Sequence, residues 1–498
     1  MDSTDGMLGG QKMENKKWGL SVLTAIVVGN MIGGGIFMLP ASLSHVASPM
    51  GTTFAWMLTG FGVFMIALVF GNLALRKPEL KAGPQSYAQA LFSSPMAGTV
   101  AGYSMTWGYW AANWSANASI IISFAGYLST FFPVLQSREV LFAVGNFQLE
   151  TGRALTFALC TAVLWAIHWI LCRDFSSGGK ISVLATTAKV AGFLLFILLL
   201  GGSLELAFAK DDFSFVRPGG ETVPLLKQMN AAAVLMLWGF NGIESAVMLS
   251  NRARSQKDVK RATLLGLMIT VFIYIFITLL TMKAVPLAQL QESQKPLVDA
   301  LNRAIGGGGG MILALLALIS LTGSIIGWIV VSAEVPYQAA KNGLFPSFFA
   351  RTNAKGSPGR SMFWTNLLTQ VFLFSTVSGT VGQAYNFAAI VATLSYLVPY
   401  FVTVLYQLKL VVTGETYQSR WISRTKDGII TFFALLYSLW VIKSGTDDWL
   451  TFVLGIGLFA SGLILYPILM KNRGEEADKP EGEGRLPAKK TLPFQQFK

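Results

Sequence analysis

The chain has 498 residues, of which 53% are hydrophobic and only 13% are charged. An ordinary soluble domain is about one quarter charged, so this composition excludes a water-soluble surface and indicates a membrane protein. At about 20 apolar residues for each membrane-spanning helix, twelve spans take up roughly 240 residues and leave enough chain for loops and tails. The formal net charge of +13 is high enough for a nucleic-acid partner, so the positions of the charges decide whether one is implied.

Apolar stretches of membrane-spanning length follow one another along the chain. The first begins after Lys16 and Lys17, as a signal peptide would, but it is too long and lacks an Ala-x-Ala cleavage site, so we predict a retained helix. We predict an all-α polytopic membrane protein, with a transmembrane domain over residues 18–470 between tails at 1–17 and 471–498. The twelve predicted spans are approximately 19–44, 52–75, 97–131, 154–172, 181–203, 229–250, 262–285, 311–339, 362–379, 384–408, 428–446 and 449–470.

The basic residues divide unevenly between the two sides of the membrane. With the amino terminus inside, the inner loops and tails carry 28 Lys and Arg, the outer loops carry nine, and Lys189 lies within a span. The positive-inside rule therefore predicts two cytoplasmic termini in the inner (plasma) membrane of the cell. The densest basic cluster, Arg252–Arg261, is interpreted as a topology determinant rather than a nucleic-acid or lipid-headgroup site. The expected partners are a small-molecule substrate and the lipid bilayer, with no nucleic acid; the oligomeric state stays open, a homodimer included.

Two predicted spans contain glycine clusters that interrupt a regular helix. Gly29–Phe37 (GNMIGGGIF) in span one has three consecutive glycines, and Trp238–Ala246 (WGFNGIESA) repeats the feature in span six. Irregular backbone at membrane depth is tolerated only where it is buried or lines a cavity. Two breaks five spans apart are typical of a five-plus-five inverted repeat, which favours a transporter. The run Gly306–Gly310 is predicted to be a flexible connection at an outer helix end.

Four ionisable residues stand out within predicted spans, because a charged group at membrane depth is costly and is therefore informative about function. Glu244, beside the break in span six, either gains and loses a proton during transport or holds a backbone amide. Lys189 in span five is either a structural cation or a fixed charge at a position where other transporters hold sodium. His168 is predicted to be an interfacial hydrogen-bonding residue, and Glu334 is consistent with a gate or with packing.

Polar and aromatic residues recur at helical spacing in spans three and eight. Tyr109, Asn113 and Asn117 are four residues apart and share one face of span three. Ser324 and Trp328 have the same spacing in span eight. A tryptophan in a membrane protein is commonly lipid-facing, but one in mid-span opposite an asparagine ladder can bind a cation through its ring face.

At these residues the chain resembles the amino acid–polyamine–organocation superfamily, and within it the basic amino acid/polyamine antiporters. The resemblance covers approximately residues 16–470 and implies the LeuT-like five-plus-five inverted-repeat fold with helices one and six broken. Its motifs are Gly29–Pro40 (GNMIGGGIFMLP), Trp238–Ala246 (WGFNGIESA), Gly323–Trp328 (GSIIGW), Glu334–Pro346 (EVPYQAAKNGLFP) and Leu397–Tyr400 (LVPY).

The resemblance to arginine/agmatine antiporters implies a role for individual residues. In those proteins the unwound glycines of span one bind the α-carboxylate and α-amine of the substrate through backbone groups. An Asn on span three and a Trp on span eight bind the guanidinium, while span six supplies a gating Trp and a pH-responsive Glu. The matching positions in this chain are Gly33, Gly34, Gly35 and Ile36 for the backbone site, Asn117 and Trp328 for the guanidinium, Trp238 and Glu244 in span six, and Tyr109 for a span-three Tyr.

Two departures from that subgroup shift the implied function. Gly34 replaces a Ser that is common there, and Lys189 resembles the span-five Lys of arginine/ornithine antiporters and proton-coupled relatives. The resemblance therefore implies a secondary transporter that exchanges L-arginine for L-ornithine by alternating access, without cofactor or metal. Arginine/agmatine exchange, lysine/cadaverine exchange and proton-coupled uptake are the alternatives.

Other classes of function have weaker support in the sequence. An enzyme is not expected, because no catalytic constellation is assembled and Gly178–Ile181 (GGKI) does not complete a phosphate-binding loop. A channel is also not expected, because the sequence lacks repeated filter-like segments. Cys160 and Cys172 lie about 18 Å apart along one predicted helix, which is too far for a disulfide.

Overall fold

The computed structural model describes residues 18–80, 83–145, 147–174, 177–203, 214–215, 221–248, 250, 253–341, 344–417, 421–445 and 449–477. The first nine helices are α1 (Leu20–Met31), α2 (Gly35–Ser44), α3 (Pro49–Arg76), α4 (Pro84–Leu91), α5 (Pro95–Leu128), α6 (Thr151–Arg173), α7 (Ser177–Ser203), α8 (Leu225–Trp238) and α9 (Ser245–Met248). The next nine are α10 (Gln256–Ala284), α11 (Leu287–Glu292), α12 (Pro296–Ile305), α13 (Gly307–Lys341), α14 (Gly359–Leu373), α15 (Ser375–Ser378), α16 (Val381–Thr413), α17 (Trp421–Gly445) and α18 (Trp449–Ala477). Short 3-10 helices lie at Pro133–Gln136 and Ser347–Ala350.

The predicted helical polytopic membrane fold is confirmed. Within the described residues, seven helices are each long and apolar enough to cross a membrane, namely α3, α6, α7, α10, α13, α16 and α17. The bent pair α1/α2 makes an eighth span. The other predicted spans coincide with α5, α8, α14 and α18.

Helix α5 occupies the centre of the bundle. It packs against α13, α14, α16 and α18, and most of its residues between Gly102 and Tyr127 are buried. Burial inside protein explains why this helix of 34 residues can carry so many Ser, Asn and Tyr side chains at membrane depth. The elements that surround it include both broken helices.

The first break separates α1 from α2 with a bend of 43°. The amide of Gly33 donates to the carbonyl of Met31 (2.7 Å) and not to Gly29, four residues back. The consecutive glycines that follow place no side chain against the turn, so the chain can redirect here.

The second break separates α8 from α9 and touches the first. Gly242 has φ +106°, a conformation that residues with a Cβ rarely adopt. A Cβ built on Gly242 would lie 3.0 Å from the carbonyl carbon of Asn30. The side-chain Nδ2 of Asn30 also donates to the Ser245 hydroxyl (2.8 Å). The two interrupted helices therefore cross at their breaks, in agreement with a five-plus-five repeat.

Two local features differ from the sequence predictions. A two-stranded hairpin, β1 (Val140–Val144) and β2 (Phe147–Glu150), lies between α5 and α6; both strands are too short to stand out in a sequence dominated by apolar helices. The predicted flexible connection at Gly306–Gly310 is wrong, since only Gly306 (φ +88°) separates two helices and α13 begins at Gly307. A Cβ on Gly310 would overlap with Asn302 Oδ1, so the glycine allows α12 to pack closely against the start of α13.

The last helix extends beyond the apolar run of its sequence. Helix α18 continues to Ala477, because the Lys, Arg and Glu residues that follow the apolar run are good helix formers. Of the basic cluster, Arg252 lies outside the described residues. The amide of Arg254 donates to the carbonyl of Trp18 (2.8 Å), which joins this loop to the start of the first span.

We predict that Gly242→Ala lowers stability, because its backbone conformation and the contact with Asn30 both exclude a Cβ. Strain of this kind costs about 1–3 kcal/mol, and the apparent melting temperature in detergent should fall. Gly201→Ala is the matched control, since nothing lies within 4 Å of a Cβ there. An unchanged melting temperature for Gly242→Ala would contradict the crossing of the two breaks.

Candidate substrate site between the two helix breaks

A small cavity lies where the two breaks meet α5, α13 and α16. The cavity has room for about one water molecule. The cavity is therefore nearly closed, and an amino acid can enter only if side chains move aside. The lining residues are Asn30, Met31, Gly33, Gly34, Gly35, Ala116, Ile120, Trp238, Asn241, Trp328 and Tyr396.

The three glycines of the first break allow neighbouring elements to approach the backbone closely. A Cβ on Gly34 would lie 2.9 Å from Ile120 Cα on α5, and one on Gly35 would lie 3.0 Å from the Trp238 ring. The serine that the resemblance leads one to expect at position 34 therefore cannot fit unless α5 shifts. The presence of Gly34 in place of the expected serine is therefore explained by the close packing of α5 against the first break.

Trp238 and Trp328, the two tryptophans that the sequence analysis predicts at the site, both lie at the cavity. Trp238 ends α8 directly before the second break, and Trp328 is in mid-α13; each is 7% exposed. A Cβ on Gly33 would lie 3.7 Å from Trp328 Nε1. The rings thus flank the glycine backbone from α8 and α13.

Lys189 lies beside the first break rather than in the cavity lining. Its ammonium, on the buried face of α7, donates to the carbonyls of Gly29 (3.2 Å) and Ile32 and to the Ser324 hydroxyl (2.9 Å). The carbonyl of Gly29 has lost its helical partner because the Gly33 amide bonds to Met31. Lys189 therefore supplies a positive charge to freed carbonyls and joins α1, α7 and α13.

Glu244 is fully buried within the second break and receives three hydrogen bonds. The Tyr109 hydroxyl of α5 donates to Oε1 (2.9 Å), while the Tyr400 hydroxyl of α16 and the Gly242 amide donate to Oε2 (2.8 and 3.1 Å). The carboxyl group thus connects the break to two long helices. Tyr109 lies at this carboxyl group and not at the cavity.

The polar ladder of α5 is directed mainly at neighbouring helices. Asn113 donates to the carbonyl of Tyr109 (2.8 Å) and accepts from the Tyr396 hydroxyl (2.7 Å). Asn117 donates to the Ser332 hydroxyl of α13 (3.1 Å), while its Oδ1 is buried and has no hydrogen-bond partner among the described residues. Asn117 does not line the cavity; Ala116 and Ile120, which are four residues apart on one face of α5, line it instead.

In the structure the sequence-predicted site residues fall into two groups, those that line the cavity and those that do not. Gly33, Gly34, Gly35, Trp238 and Trp328 come together at the cavity, whereas Ile36, Tyr109, Asn117, Lys189 and Glu244 lie around it. His168 contacts Cys172 and Asn366 at the end of α6. Glu334 accepts a hydrogen bond from Gln338 on its own helix.

Sequence reasoning missed several residues of the site. The missed residues are Asn30, Asn241 and Tyr396 in the lining and Tyr400 beside Glu244. Asn30 and Asn241 carried a usable signal, since each is a polar residue directly at a glycine break. Tyr400 lies in the LVPY motif, but its distance from span six along the chain hid the contact with Glu244.

Comparison with known proteins identifies the class of this molecule. The family model described as amino acid permease matches residues 19–469. The chain therefore belongs to the amino acid permease family and is a multi-pass membrane transporter.

Among its relatives, a Bacillus subtilis (strain 168) protein that is provisionally named an arginine/ornithine antiporter is 51% identical over 457 residues, which are 92% of this chain and 97% of that protein. A Pseudomonas aeruginosa arginine/ornithine antiporter is 33% identical over 461 residues, 91% of this chain and 90% of its own. A Lactococcus lactis subsp. cremoris arginine/ornithine antiporter is 30% identical over 487 residues, with coverages of 94% and 87%.

We predict that Gly34→Ala destabilises the protein while Gly33→Ala does not. The new methyl group at position 34 meets backbone, which cannot rotate away, and overpacking of this kind costs about 1–3 kcal/mol. At position 33 it meets only ordinary contacts, with the Asn30 carbonyl oxygen and Trp328 Nε1 at 3.7 Å each. The melting temperatures of the two variants in detergent compare them, and equal values would contradict the close approach of α5 to the first break.

Proposed function

We propose that this transporter exchanges L-arginine for L-ornithine by alternating access. Both substrates carry one net positive charge, so the exchange moves no net charge. The observation that carries the proposal is the cavity at the crossing of two broken helices, lined by glycine backbone and two tryptophans. The printed names of the three relatives support the choice of substrates.

The first break suits the amino acid backbone of a substrate. Helix α2 begins at Gly35, and the unpaired amides of its first turn, which includes Ile36, favour a carboxylate. The carbonyl end of α1 faces the opposite way, and a substrate ammonium would bind there beside Lys189, which already donates to the carbonyls of Gly29 and Ile32. In this proposal Gly33–Ile36 bind the α-carboxylate and α-amine through backbone groups.

The side chain of arginine would extend toward α5 and α13. The Trp328 ring can hold a cation over its face, which contributes on the order of 0.5–2 kcal/mol. Asn117 Oδ1 is a buried acceptor without a partner and lies one residue from the cavity-lining Ala116. A guanidinium group, with its five donors, can satisfy that oxygen once Trp328 turns. Trp238 would close the cavity from the side of α8.

Lys189 and Glu244 are proposed to couple binding to conformational change. Lys189 places an ammonium on the carbonyls of the first break, where a sodium ion could otherwise bind. Glu244 connects the second break to α5 and α16 through Tyr109 and Tyr400. A change in the charge of either group would alter how tightly a break is held to the long helices.

Proton-linked uptake and the agmatine and cadaverine exchanges remain the competing assignments within transport.

The excess of Lys and Arg in the predicted inner loops supports an inner-membrane location with both termini in the cytoplasm. Protease protection of tags on the two termini in inside-out vesicles tests that orientation.

Liposome counterflow tests the exchange directly. Purified protein is reconstituted into liposomes preloaded with ornithine, agmatine, lysine or no substrate, and uptake of labelled arginine is measured. We expect ornithine-loaded liposomes to take up arginine at least tenfold faster than empty ones, because exchange requires substrate on both sides. Equal uptake into empty liposomes would contradict exchange, and faster uptake into agmatine-loaded liposomes would contradict the ornithine assignment.

We predict that arginine/ornithine exchange does not depend on sodium and that Lys189→Ala impairs it. Replacing sodium by choline at constant ionic strength should leave the wild-type rate unchanged. Lys189→Ala leaves buried carbonyls unpaired, at about 1–3 kcal/mol each, so the melting temperature should fall. If Lys189 also releases a proton, the variant loses proton-driven net uptake but keeps some counterflow.

The exposed Lys227→Ala is the matched control for Lys189→Ala and should behave like wild type. Sodium-stimulated exchange by the unmodified protein would contradict the proposed role of Lys189.

A further inference from the structure

One amide side chain of the cavity has no partner at either of its polar atoms in the described structure. Asn241 lies in the second break between α8 and α9, lines the cavity and is 4% exposed. Neither Oδ1 nor Nδ2 has a hydrogen-bond partner. Because both atoms are unpaired, this observation holds whichever way the amide group is turned.

The other asparagines near the cavity differ from Asn241. The Asn30 amide donates to Ser245, Asn113 is paired at both ends, and Asn117 is paired at its nitrogen. Across the residues that the structure describes, Asn241 is the one side chain in which two separate polar atoms are both buried and unpaired. Buried polar groups in native proteins are normally paired, so such an exception requires an explanation.

A bound substrate provides that explanation. The free amide offers an acceptor at Oδ1 and donors at Nδ2, and the lining residues contain no carboxylate and no cation. A ligand that satisfies both ends of Asn241 must bring an N–H donor and an acceptor oxygen. An amino acid brings an ammonium group and a carboxylate, whereas a decarboxylated amine brings donors alone.

We infer that Asn241 binds the substrate and selects amino acids over decarboxylated amines such as agmatine and cadaverine. Oδ1 accepts from a substrate nitrogen, and Nδ2 donates to a substrate carboxylate oxygen. With a diamine in the cavity, Nδ2 stays buried and unpaired, which disfavours binding. This inference rests on the proposed exchange of basic amino acids and names the residue that excludes the corresponding amines.

Competition binding tests the inference. Labelled L-arginine is bound to purified protein in lipid nanodiscs and displaced by unlabelled arginine, ornithine, agmatine or cadaverine. Wild type should prefer arginine over agmatine by at least tenfold. Asn241→Asp replaces the donor with a second acceptor and a negative charge, so arginine should bind at least tenfold more weakly, agmatine at least as well, and the preference should disappear.

Asn241→Leu provides a second variant that does not depend on the added charge. It removes both unpaired polar atoms at similar volume, so its melting temperature should equal or exceed that of wild type while the preference for arginine falls. Asn230→Asp is the control: Asn230 lies on α8, the helix that leads into the second break, accepts from Trp440 (2.9 Å) away from the cavity, and should keep the wild-type preference.

The outcomes separate the inference from the proposed function. If wild type binds neither arginine nor ornithine, the proposed function and the inference both fail. If wild type binds arginine but both Asn241 variants keep its preference over agmatine, the exchange proposal stands and the inference is overturned. A large loss of stability in Asn241→Leu would also overturn it, because it would show that the amide has partners within the protein.

Discussion

The interior of a bilayer offers no water to a backbone group that has lost its helical partner. Each break in this structure frees such groups, and polar side chains from a neighbouring helix or from the break itself form hydrogen bonds with them. Lys189 bonds to the carbonyls of the first break, and Glu244 accepts the Gly242 amide in the second. The breaks persist because these partners are present, and the backbone groups that stay open at the cavity become a binding surface.

The same partners connect the breaks to the long helices that would have to move during transport. Lys189 joins the first break to α7 and, through Ser324, to α13. Glu244 joins the second break to α5 through Tyr109 and to α16 through Tyr400. The cavity thus lies between two sets of hydrogen bonds, and substrate binding can alter both.

Much of the fold followed from apolar length and glycine placement, because a membrane span must be long and apolar and a helix break needs small residues. The site was harder to predict, since cavity contacts depend on how far each helix is rotated. Asn117 and Ala116 are neighbours in sequence, yet only Ala116 faces the cavity. Tyr400 and Glu244 meet across 156 positions of sequence, and no local pattern encodes such a contact.

An experimental structure of the protein in lipid nanodiscs with bound L-arginine tests the central claim most directly. The account predicts that the α-carboxylate and α-amine lie within hydrogen-bond distance of the Gly33–Ile36 backbone, with the guanidinium beside Trp328 and the Lys189 ammonium still on the Gly29 carbonyl. Arginine bound away from the crossing of the two breaks, or a continuous helix through residues 29–37, would contradict it.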